Sequence, residues 1–416
     1  MWKLIYNIGV HCAFPFFALI ALTKKKIRKT FVQRLYIHRA PEMHDVLWIH
    51  AASVGEAVIA ENLVNYMSSR KAFSRFVITT NTDYTHDLLT RRLDGRAGVL
   101  YLPFDLPGAI RRFMNRSTFE ALILVETEIW PNLIWAAHAR GLPVIIMNGR
   151  ISDRTKKNYR SLSFFLKHVL SSIDLVLAQS QEQAKRFISI GMDPSRVRDV
   201  GNLKYYRFFD RSPGSERKEE LITFGSIKEK ELPIILPLVE PLRKSFPGHP
   251  IYLVPRDLSL VNILEEKLSG TLRVSRFSAL KGGAFEATDV VIVDTIGDLM
   301  TIYGRSLLAF VGGSLAPYGG QNMLEPLFFG TPVLFGPYIE NFKEIADRIL
   351  AAGAGMLVHD GRELLDAIKA LIESPGLRQS MGKAGLQVIQ EQEAVMARTA
   401  SLITEALWKS SPGSQS

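Results

Sequence analysis

A carboxylate at the start of a helical pattern is the first residue of this chain whose position suggests catalysis. Glu56 ends the sequence HAASVGE (residues 50–56), which follows the apolar segment VLWIHA and precedes an amphipathic helical pattern. At such a strand–turn–helix junction a carboxylate can take a proton from an attacking hydroxyl group, and backbone amides near Ser53 and Gly55 can meet an anion. The simpler alternative is a carboxylate that only stabilises the helix start through the helix dipole.

A second group of carboxylates lies in ETEIWPNL (residues 126–133), directly after the apolar segment ALILV. Glu126 and Glu128 would point to the same side if the strand continued, and the Trp130-Pro131 pair predicts a fixed turn. Packing explains two carboxylates at the end of a strand poorly, so we expect them to orient a sugar or to share charge with a cation. A solvated loop is the alternative.

Cationic side chains follow further segments of the first half. NGRISDR (residues 148–154) places Arg150 and Arg154 after the apolar segment PVIIM, and the short motif GNLK ends with Lys204. Guanidinium groups suit bidentate contacts with phosphate or carboxylate, and a lysine can stabilise negative charge on a leaving phosphate. A surface loop and a solvated lysine are the corresponding alternatives.

Three polar motifs of the second half each follow a short apolar segment. FGS ends with Ser226 and could hold a phosphate, VPRD contains Arg256, and VDTIGDL (residues 293–299) combines two aspartates with a glycine. In open α/β sheets ligands bind beyond the carboxyl ends of the strands. We therefore expect these motifs to line a ligand site.

A glycine-rich stretch is the longest motif of the second half. FVGGSLAPYGGQNMLEP (residues 310–326) follows a strand pattern and contains four glycines, among them Gly313, before a helical Glu325. Exposed amides suit a phosphate or diphosphate, and a carboxylate on a helix suits ribose hydroxyl groups.

The absence of several motifs argues against other kinds of chemistry. The sequence has one cysteine, Cys12, so no disulfide can form within the chain, and its nine histidines show no HExxH or similar metal-ligand spacing. A GxGxxG fingerprint and a Walker A motif are also absent, which disfavours nicotinamide chemistry and P-loop ATP hydrolysis. We expect neither a metal ion nor a cofactor.

The net charge of +10 suggests an anionic partner. Nucleic acid, an anionic membrane surface and a phosphorylated substrate would each fit such a charge. The sequence shows no zinc-finger spacing and no aromatic RNA-binding signature, so nucleic acid is disfavoured.

The N-terminus predicts a membrane anchor. Residues 4–22 are mostly apolar and are followed by the basic run TKKKIRK, and this length is just sufficient to cross a bilayer. Asn7, His11 and Pro15 weaken a spanning helix, and no small-x-small cleavage site precedes the basic run. We expect a retained anchor that spans the bilayer or lies in its interface, with the rest of the chain in the cytoplasm and the lysines near anionic headgroups. A buried N-terminal helix is the alternative.

Short β-branched or aromatic segments alternate with amphipathic stretches from residue 46 onward. This alternation predicts α/β domains with parallel sheets covered on both faces, and a charged, turn-rich stretch at residues 207–220 predicts a linker between two of them. We expect ligands in a cleft between facing strand ends. The predicted parts are an anchor with a basic stem at 1–30, domains at 31–206 and 207–408, and a disordered tail at 409–416. The predicted strands are residues 46–51, 76–80, 121–125, 143–147, 175–178, 221–224, 251–254, 290–293, 308–311 and 332–334.

Six motifs taken in order resemble those of the 3-deoxy-D-manno-octulosonic acid (Kdo) transferases: HAASVGE, ETEIWPNL, NGRISDR, GNLK, VDTIGDL and GGSLAPYGGQNMLEP. The apolar N-terminus is similar too, so the resemblance covers nearly the whole chain. It implies a GT-B fold of two Rossmann-like domains, the first binding the acceptor and the second the donor CMP-Kdo. It also implies a lipid A precursor as acceptor, a place in lipopolysaccharide synthesis at the cytoplasmic face of the inner membrane, and catalysis without a metal ion.

The same resemblance implies roles for individual residues. Glu56 would be the base that deprotonates the acceptor 6′-hydroxyl group, with inversion at the anomeric carbon, and Glu126 and Lys204 would stabilise the transition state. The residues implied in binding CMP are Pro255, Arg256, Gly297, Asp298, Leu299, Asn322, Met323, Leu324 and Glu325. The candidates for further phosphate or acceptor contacts are Ser53, Gly55, Arg150, Ser226, Lys228 and Gly313.

The chain departs from the family pattern mainly on the donor side. GSIKEKEL stands where the family usually has GSTHEGEE, which puts Lys228 in place of a histidine. Asp257 replaces the histidine of PRH, Gln321 replaces that of GGHN, and Asp298 replaces a common glutamate. A tyrosine pair follows GNLK where an acidic residue is common. These departures bear on the donor pocket and not on Glu56.

Two alternatives to Kdo transfer remain open at this point. The chain could be a GT-B transferase that uses another nucleotide sugar, such as a UDP-sugar. It could also be a catalytically silent, membrane-bound scaffold of the same fold, against which the presence of Glu56, Glu126, Lys204 and Arg256 argues.

Overall fold

A computed structural model of the chain describes residues 1–23, 25–37, 41–152, 163–208, 214, 218–280 and 288–410. Arg154, most of the predicted linker and residues 411–416 of the predicted tail lie outside the described residues. The chain forms two compact units, Met1–Phe208 with Glu393–Ser416, and Phe209–Gln392. Each unit contains a seven-stranded parallel sheet.

The first unit is built on a sheet whose strand order is that of a doubly wound fold. Its strands are β1 (Met43–His50), β2 (Phe76–Thr80), β3 (Gly98–Tyr101), β4 (Ser117–Val125), β5 (Val144–Gly149), β6 (Leu175–Ala178) and β7 (Val197–Asp199). The order across the sheet is β3-β2-β1-β4-β5-β6-β7. Strand order therefore reverses between β1 and β4, and such a reversal opens a crevice at the carboxyl ends of the two strands.

Alternate residues of the central strands pack on opposite faces of this sheet. In β1, Trp48 joins a core cluster with Phe113 and Phe119, whereas Leu47 and Ile49 join the cluster on the other face. Since both faces are covered, the central strands are apolar almost throughout. The helices of this unit are α1 (Trp2–Thr23), α2 (Lys25–Leu35), α3 (Val54–Ser69), α4 (Asp83–Leu93), α5 (Pro107–Met114), α6 (Pro131–His138), α7 (Ser163–Leu170) and α8 (Gln181–Ser189).

The apolar helix α1 packs along the first unit through polar contacts as well as aromatic ones. The Tyr6 hydroxyl donates to Asp105 Oδ2 at 2.8 Å, and Asn132 Nδ2 donates to Asn7 Oδ1 at 2.8 Å. The Tyr6 ring stacks on Phe165. Among the described residues, α1 is the helix that is long and apolar enough to cross a membrane. Its large apolar side chains that remain exposed are Leu4, Ile5, Ile8, Phe16, Phe17, Leu19 and Ile20.

The second unit repeats the parallel design with a different order at one edge. Its strands are β8 (Ile222–Ile227), β9 (Ile251–Pro255), β10 (Val274–Arg276), β11 (Val290–Ile292), β12 (Leu308–Val311), β13 (Val333–Phe335) and β14 (Gly355–Leu357). The order is β10-β11-β9-β8-β12-β13-β14, which reverses between β8 and β12. The helices that follow along the chain are α9 (Leu232–Ser245), α10 (Leu260–Leu268), α11 (Phe277–Leu280), α12 (Leu299–Arg305), α13 (Leu324–Phe328), α14 (Lys343–Ala351), α15 (Gly361–Glu373) and α16 (Pro375–Ser410).

The last part of the chain belongs to the first unit, whereas the sequence had suggested a second domain extending to residue 408. Met396, Ile403 and Leu407 of α16 are buried in the same core cluster as Leu203 and Tyr206. The helical period of α16 shows which of its faces is apolar, but it carries no information about which core that face joins.

The predicted α/β architecture is confirmed, and all ten predicted strands are present with bounds that differ by a few residues. The strands that the sequence pattern did not indicate are β3, β7, β10 and β14, which are the two edges of each sheet. Edge strands contact a neighbour on one side only and are less buried here, so they need no continuous apolar run.

Candidate active site

Glu56 lies at the start of α3, beyond the carboxyl end of β1, and its carboxylate folds back onto the turn before the helix. Ser53 is the N-cap residue, and its hydroxyl donates to Glu56 Oε1 at 2.7 Å. The backbone N–H of Ala52 donates to Glu56 Oε2 at 2.8 Å, which completes an arrangement close to a capping box. Burial raises the pKa of Glu56, and Glu128 adds to this rise, against the lowering effect of the two hydrogen bonds and of His50.

A helix cap of the same design in the second unit shows how much of the Glu56 pKa shift comes from the cap itself and how much from its surroundings. At the start of α15 the N–H of His359 donates to Glu363 Oε2 at 2.8 Å, and Asp360 is the N-cap residue. The bonds from the N–H and from the ring Nδ1 of His359 hold the pKa of exposed Glu363 below its ordinary value. Similar local bonds therefore accompany opposite pKa shifts, and burial distinguishes Glu56 from Glu363.

Glu126 follows β4 in a left-handed backbone conformation, with φ of 59°. Its N–H donates to the carbonyl oxygen of Met147 at 2.8 Å, which ties the residue to the end of β5. Burial raises the pKa of Glu126, as does the charge of Glu56, while Arg150 and Lys204 lower it. Glu126 therefore has a sparsely populated backbone conformation and interacts with another carboxylate and two cations. These surroundings differ from the solvated loop that was the alternative.

Hydrogen bonds between three loops bring the two cations to Glu126. The side-chain oxygen of Asn148, near the end of β5, accepts from the N–H of Leu203 at 2.9 Å, which joins this strand end to the GNLK turn. The Thr127 hydroxyl donates to the carbonyl oxygen of Arg150, which joins the loop after β4 to the loop after β5. Arg150 and Lys204 keep exposed side chains on this backbone frame.

Glu128 has surroundings different from those of Glu126, although an extended strand would have placed the two side by side. Trp130 Nε1 donates to Glu128 Oε2 at 2.9 Å, and His50 Nε2 lies 3.6 Å from the same oxygen. The left-handed turn at Glu126 ends the extended conformation. His50 was not singled out in the sequence, because a lone histidine inside an apolar strand pattern gives no signal of what it faces.

Four residues predicted from separate motifs thus form one electrostatic cluster: Glu56, Glu126, Arg150 and Lys204. The cluster lies beyond the carboxyl ends of β1, β4, β5 and β7 and includes the point where strand order reverses. A Cβ at Gly55 would meet only Ser53 Oγ, at 3.9 Å, so packing within the described residues does not require a glycine there.

The amides of the glycine-rich loop are bound by a carboxylate of the same unit. Glu231 is fully buried, and its oxygens accept from the N–H groups of Gly313, Ser314 and Leu315 at 2.7, 3.0 and 2.9 Å. It also accepts from the N–H of Lys228 at 2.9 Å. The expectation that Gly313 offers its amide to a phosphate is therefore wrong, because Glu231 already occupies the reversal point between β8 and β12.

The FGS motif has a packing role that the sequence did not reveal. A Cβ at Gly225 would lie 2.0 Å from the hydroxyl oxygen of buried Tyr303, so only glycine fits beneath that ring. Burial, together with the charge of Glu325, holds the pKa of Tyr303 well above its ordinary value. Ser226, the predicted phosphate contact, is buried with φ of 55° and lies where the pairing of β8 with β9 shifts register.

Two of the departures from the family pattern interact with each other. Lys228 Nζ lies over the Tyr318 ring, 4.8 Å from its centroid. Hydrogen bonds from Ser259, together with the charge of Lys228, hold the pKa of Asp257 below its ordinary value. Gln321 lies beside Gly313, where an added Cβ would be 3.2 Å from its Cγ. Lys228 and Gln321 thus border the glycine-rich stretch, and Asp257 lies within reach of the Lys228 charge.

The remaining donor candidates lie at strand ends and helix starts of the second unit. Pro255 ends β9, and the N–H of Arg256 donates to Ile227 at 2.9 Å. Asn322 Oδ1 accepts from the N–H of Leu324 at 3.2 Å, and its Nδ2 donates to Glu325 Oε1 at 3.3 Å. Gly297 is exposed with φ of 99°, Asp298 and Leu299 start α12, and Met323 is buried before α13. Within the described ranges, no group of three or more His, Cys, Asp or Glu side chains is placed to hold a metal ion.

Comparison with known families gives a consistent result. Residues 28–207 match the model of a family described as 3-deoxy-D-manno-octulosonic-acid transferase (kdotransferase). A 3-deoxy-D-manno-octulosonic acid transferase of Bordetella pertussis is 33% identical over 356 residues, which are 81% of this chain and 82% of the relative. One from Haemophilus influenzae is 29% identical over 97% of this chain and 98% of the relative.

A longer relative and a solved structure extend the comparison. A bifunctional glycosyltransferase/methyltransferase of Fusobacterium nucleatum is 32% identical over 89% of this chain, and the chain spans 59% of that protein's length. Among solved structures, UDP-GlcNAc 2-epimerase from Neisseria meningitidis bound to UDP-GlcNAc aligns with a TM-score of 0.54 and 13% identity. The alignment covers 88% of this chain and 100% of the epimerase, and it shows a shared fold.

Proposed function

Since the chain belongs to the 3-deoxy-D-manno-octulosonic acid (Kdo) transferase family, we propose that it transfers Kdo from CMP-Kdo to a lipid A precursor. The acceptor group is the 6′-hydroxyl of a tetraacylated disaccharide bisphosphate, and the product enters lipopolysaccharide synthesis. The reaction inverts the anomeric configuration, because one hydroxyl group displaces CMP in a single step.

The observation that carries the proposal is the cluster of Glu56, Glu126, Arg150 and Lys204 at the reversal of strand order. Glu56 acts as the general base and removes the proton of the attacking hydroxyl group. Its raised pKa supports this role, because a carboxylate with a higher proton affinity is a stronger base when ionised. The bonds from Ser53 and Ala52 hold its carboxylate in one orientation.

The two cations beside Glu126 supply positive charge where the reactants are anionic. Kdo carries a carboxylate, CMP a phosphate and the acceptor two phosphates, and guanidinium or ammonium groups bind such anions. Lys204 and Arg150 have exposed side chains, which supports contact with a substrate rather than a purely internal role. Glu126 keeps Lys204 in place and stabilises the transition state with it.

Residues of the second unit bind CMP in this proposal. Arg256 balances the charge of the phosphate, and Glu325 binds the ribose hydroxyl groups with Asn322 beside it. Pro255, Gly297 to Leu299, Met323 and Leu324 complete the site. The cationic side chains of the protein balance the charge of the departing CMP, so that transfer proceeds without a metal ion.

The helix α1 places the enzyme at the cytoplasmic face of the inner membrane in this proposal. Its exposed side chains, such as Phe16 and Leu19, are apolar, whereas its polar Tyr6 and Asn7 contact the protein. An apolar face on a helix that is fixed to a positively charged protein suits an anionic bilayer.

A transfer assay with the purified full chain tests the proposal. The chain is incubated in detergent with CMP-Kdo and the tetraacylated acceptor, in the presence of excess chelator, and the products are weighed by mass spectrometry. Addition of one or more Kdo residues supports the proposal. Transfer from a UDP-sugar but not from CMP-Kdo would replace the donor, and no transfer from any member of a nucleotide-sugar panel would favour a scaffold.

A further inference from the structure

The two ring nitrogens of His50, a fully buried residue at the end of β1, have different surroundings. Nδ1 lies 2.9 Å from the carbonyl oxygen of Thr79 and 3.2 Å from its hydroxyl oxygen. A carbonyl oxygen only accepts hydrogen bonds, so Nδ1 carries a proton. Nε2 is buried with no hydrogen-bond partner in the part of the chain that the structure describes, and it lies 3.6 Å from Glu128 Oε2.

The state of Glu128 determines the proton on Nε2. Burial raises the pKa of Glu128, but the contact with His50 and the hydrogen bond from Trp130 outweigh this effect and bring the pKa below its ordinary value. Glu128 is therefore a carboxylate at neutral pH. An unprotonated Nε2 would direct its lone pair at that carboxylate inside the protein, which is unfavourable. A protonated Nε2 instead gives an ion pair.

We propose that His50 is a positioning residue for the catalytic base: as an imidazolium it pairs with Glu128 and opposes the effect of that carboxylate on Glu56. This inference rests on the proposed role of Glu56 as the base.

The crowding of carboxylates shows why such a residue is needed. Glu56, Glu126 and Glu128 interact with one another, and each negative neighbour favours the protonated form of the others. Arg150 and Lys204 act on Glu126. His50 is the cation that acts on both Glu128 and Glu56. Without it, Glu128 would favour a protonated Glu56, which cannot remove a proton from the acceptor.

The groups that face His50 come from three elements. Thr79 of β2 bonds Nδ1, Glu128 of the loop after β4 faces Nε2, and Glu56 of α3 interacts with it through charge. Glu128 and Glu56 are the ionisable members of this set, so the effect of His50 on the reaction should be visible in the pH dependence of transfer.

The first test measures the protonation of His50 directly and does not depend on activity. Full-length protein labelled with ¹⁵N-histidine is examined by NMR at pH 7, and the His50 signals are assigned by their loss in His50→Asn. We expect both ring nitrogens to be protonated in the wild type. An unprotonated Nε2 would overturn the proposal, whatever the donor of the reaction is.

The second test follows the acid limb of kcat/KM against pH in a double-mutant cycle. His50→Gln removes the positive charge and should move this limb to higher pH by about one unit, because Glu128 then acts on Glu56 unopposed. Glu128→Gln removes the negative charge and, with it, the reason for a proton on Nε2, so the limb should stay close to its wild-type position. The double variant should lie there too, since Glu128 no longer acts on Glu56.

The cycle separates charge from structure. A purely structural His50 would lower kcat without a displacement of the acid limb that Glu128→Gln abolishes, and that result would overturn the proposal. If His50→Gln does not fold, the NMR measurement still decides. A wild type without transfer activity would refute the proposed function and leave the NMR result to decide the state of His50.

Discussion

The side-chain oxygen of Asn148 accepts a 2.9 Å hydrogen bond from the backbone N–H of Leu203, and this bond joins the loop of Arg150 to the turn of Lys204. Asn148 is fully buried and has φ of 57°, a conformation that asparagine adopts more readily than most residues. The two cations of the candidate site therefore depend on one amide side chain that touches neither of them.

Replacement of Asn148 should lower both stability and transfer. Asn148→Gly keeps the positive φ without strain but leaves the Leu203 N–H unpaired, which should cost about 1–3 kcal/mol of unfolding free energy. Asn148→Ala should cost about 1 kcal/mol more, because alanine is strained in the left-handed region. Displacement of Lys204 should reduce kcat about tenfold or more in both variants. Denaturant unfolding and the transfer assay measure these effects, and a normal kcat in Asn148→Gly would contradict the positioning role.

Glu56 variants should separate catalysis from helix capping. Glu56→Gln keeps an acceptor for the Ala52 N–H and should leave stability unchanged or higher, yet transfer should fall by about 10²–10⁴ because the base is lost. Glu56→Ala should lose the same activity and, in addition, about 1 kcal/mol of unfolding free energy from the cap. CMP binding, followed by calorimetry, should stay near normal in both.

Glu363 offers a matched control for this experiment, since its carboxylate accepts from the backbone N–H before its own helix cap in the same way. Glu363→Ala removes a cap from α15 and should leave kcat unchanged. If Glu56→Gln transferred Kdo at the wild-type rate, Glu56 would be a capping residue like Glu363 and the base would have to be another group.

Glu126 should destabilise the protein at neutral pH. Its folded-state pKa is raised above the ordinary value of 4.5, so the folded protein holds that proton more tightly than the unfolded chain. The stability that this group contributes is present at low pH. It is lost as the pH rises from the ordinary pKa of the unfolded chain through the raised pKa of the folded state. Glu126→Gln stays neutral, so we expect a higher Tm than the wild type at pH 7 and no such gain at pH 4.

A variant at Glu363 should show the opposite sign, because its pKa is lowered in the folded state. Glu363→Gln should lower the Tm at pH 7, and this difference should vanish as pH falls below the folded-state pKa. Equal Tm differences at the two pH values in Glu126→Gln would refute the raised pKa of Glu126.

Glu231 should be essential for the donor-binding unit although it contacts no substrate in our proposal. Glu231→Gln replaces an oxygen by an NH₂ group that cannot accept from the amides of Gly313 to Leu315, and burial prevents water from compensating. We expect a loss of about 2 kcal/mol or more in unfolding free energy and weaker CMP binding. Exposed Glu229→Gln in the same motif is the control and should change neither. Normal CMP binding in Glu231→Gln would show that the loop tolerates the change.

The exposed apolar face of α1 should mediate binding to lipid. Phe16 is 73% exposed, so Phe16→Glu should leave the unfolding free energy nearly unchanged but reduce cosedimentation with anionic phosphatidylglycerol vesicles. Trp408, which is 71% exposed on α16, provides a control of similar character, and Trp408→Glu should bind vesicles normally. Equal binding by Phe16→Glu and the wild type would remove α1 as the membrane contact.

The central strands could be predicted from sequence because burial on both faces forces apolar runs, whereas edge strands such as β7, with the sequence VRD, carry no such constraint. The cluster around Glu56 was predictable in outline, because parallel strand ends meet at one edge of a sheet. The charge interaction of Arg150 and Lys204 with Glu126 was not, since it depends on the Asn148 bond between distant segments.

Long-range partners also explain the donor-side error. A glycine-rich loop after a strand predicts free amides, and local sequence gives no sign that Glu231, 82 residues earlier than Gly313, binds them. His50 gives no signal in the sequence for a related reason, because the carboxylate that it faces, Glu128, follows a different strand. In both cases the sequence shows the loop amides or the histidine, but only the fold brings the partner carboxylate next to them.

The contacts of α1 limit how this protein can be made soluble. Asp105 binds the Tyr6 hydroxyl of α1 and also the N–H groups of Asn132 and Leu133 that start α6. A chain truncated to remove the apolar helix would lose Tyr6 and Asn7 together and would disturb the first turn of α6, which directly follows the segment of Glu126 and Glu128. The helix is therefore part of the folded enzyme, and purification in detergent with α1 retained is the route that preserves the turn of Glu126 and Glu128.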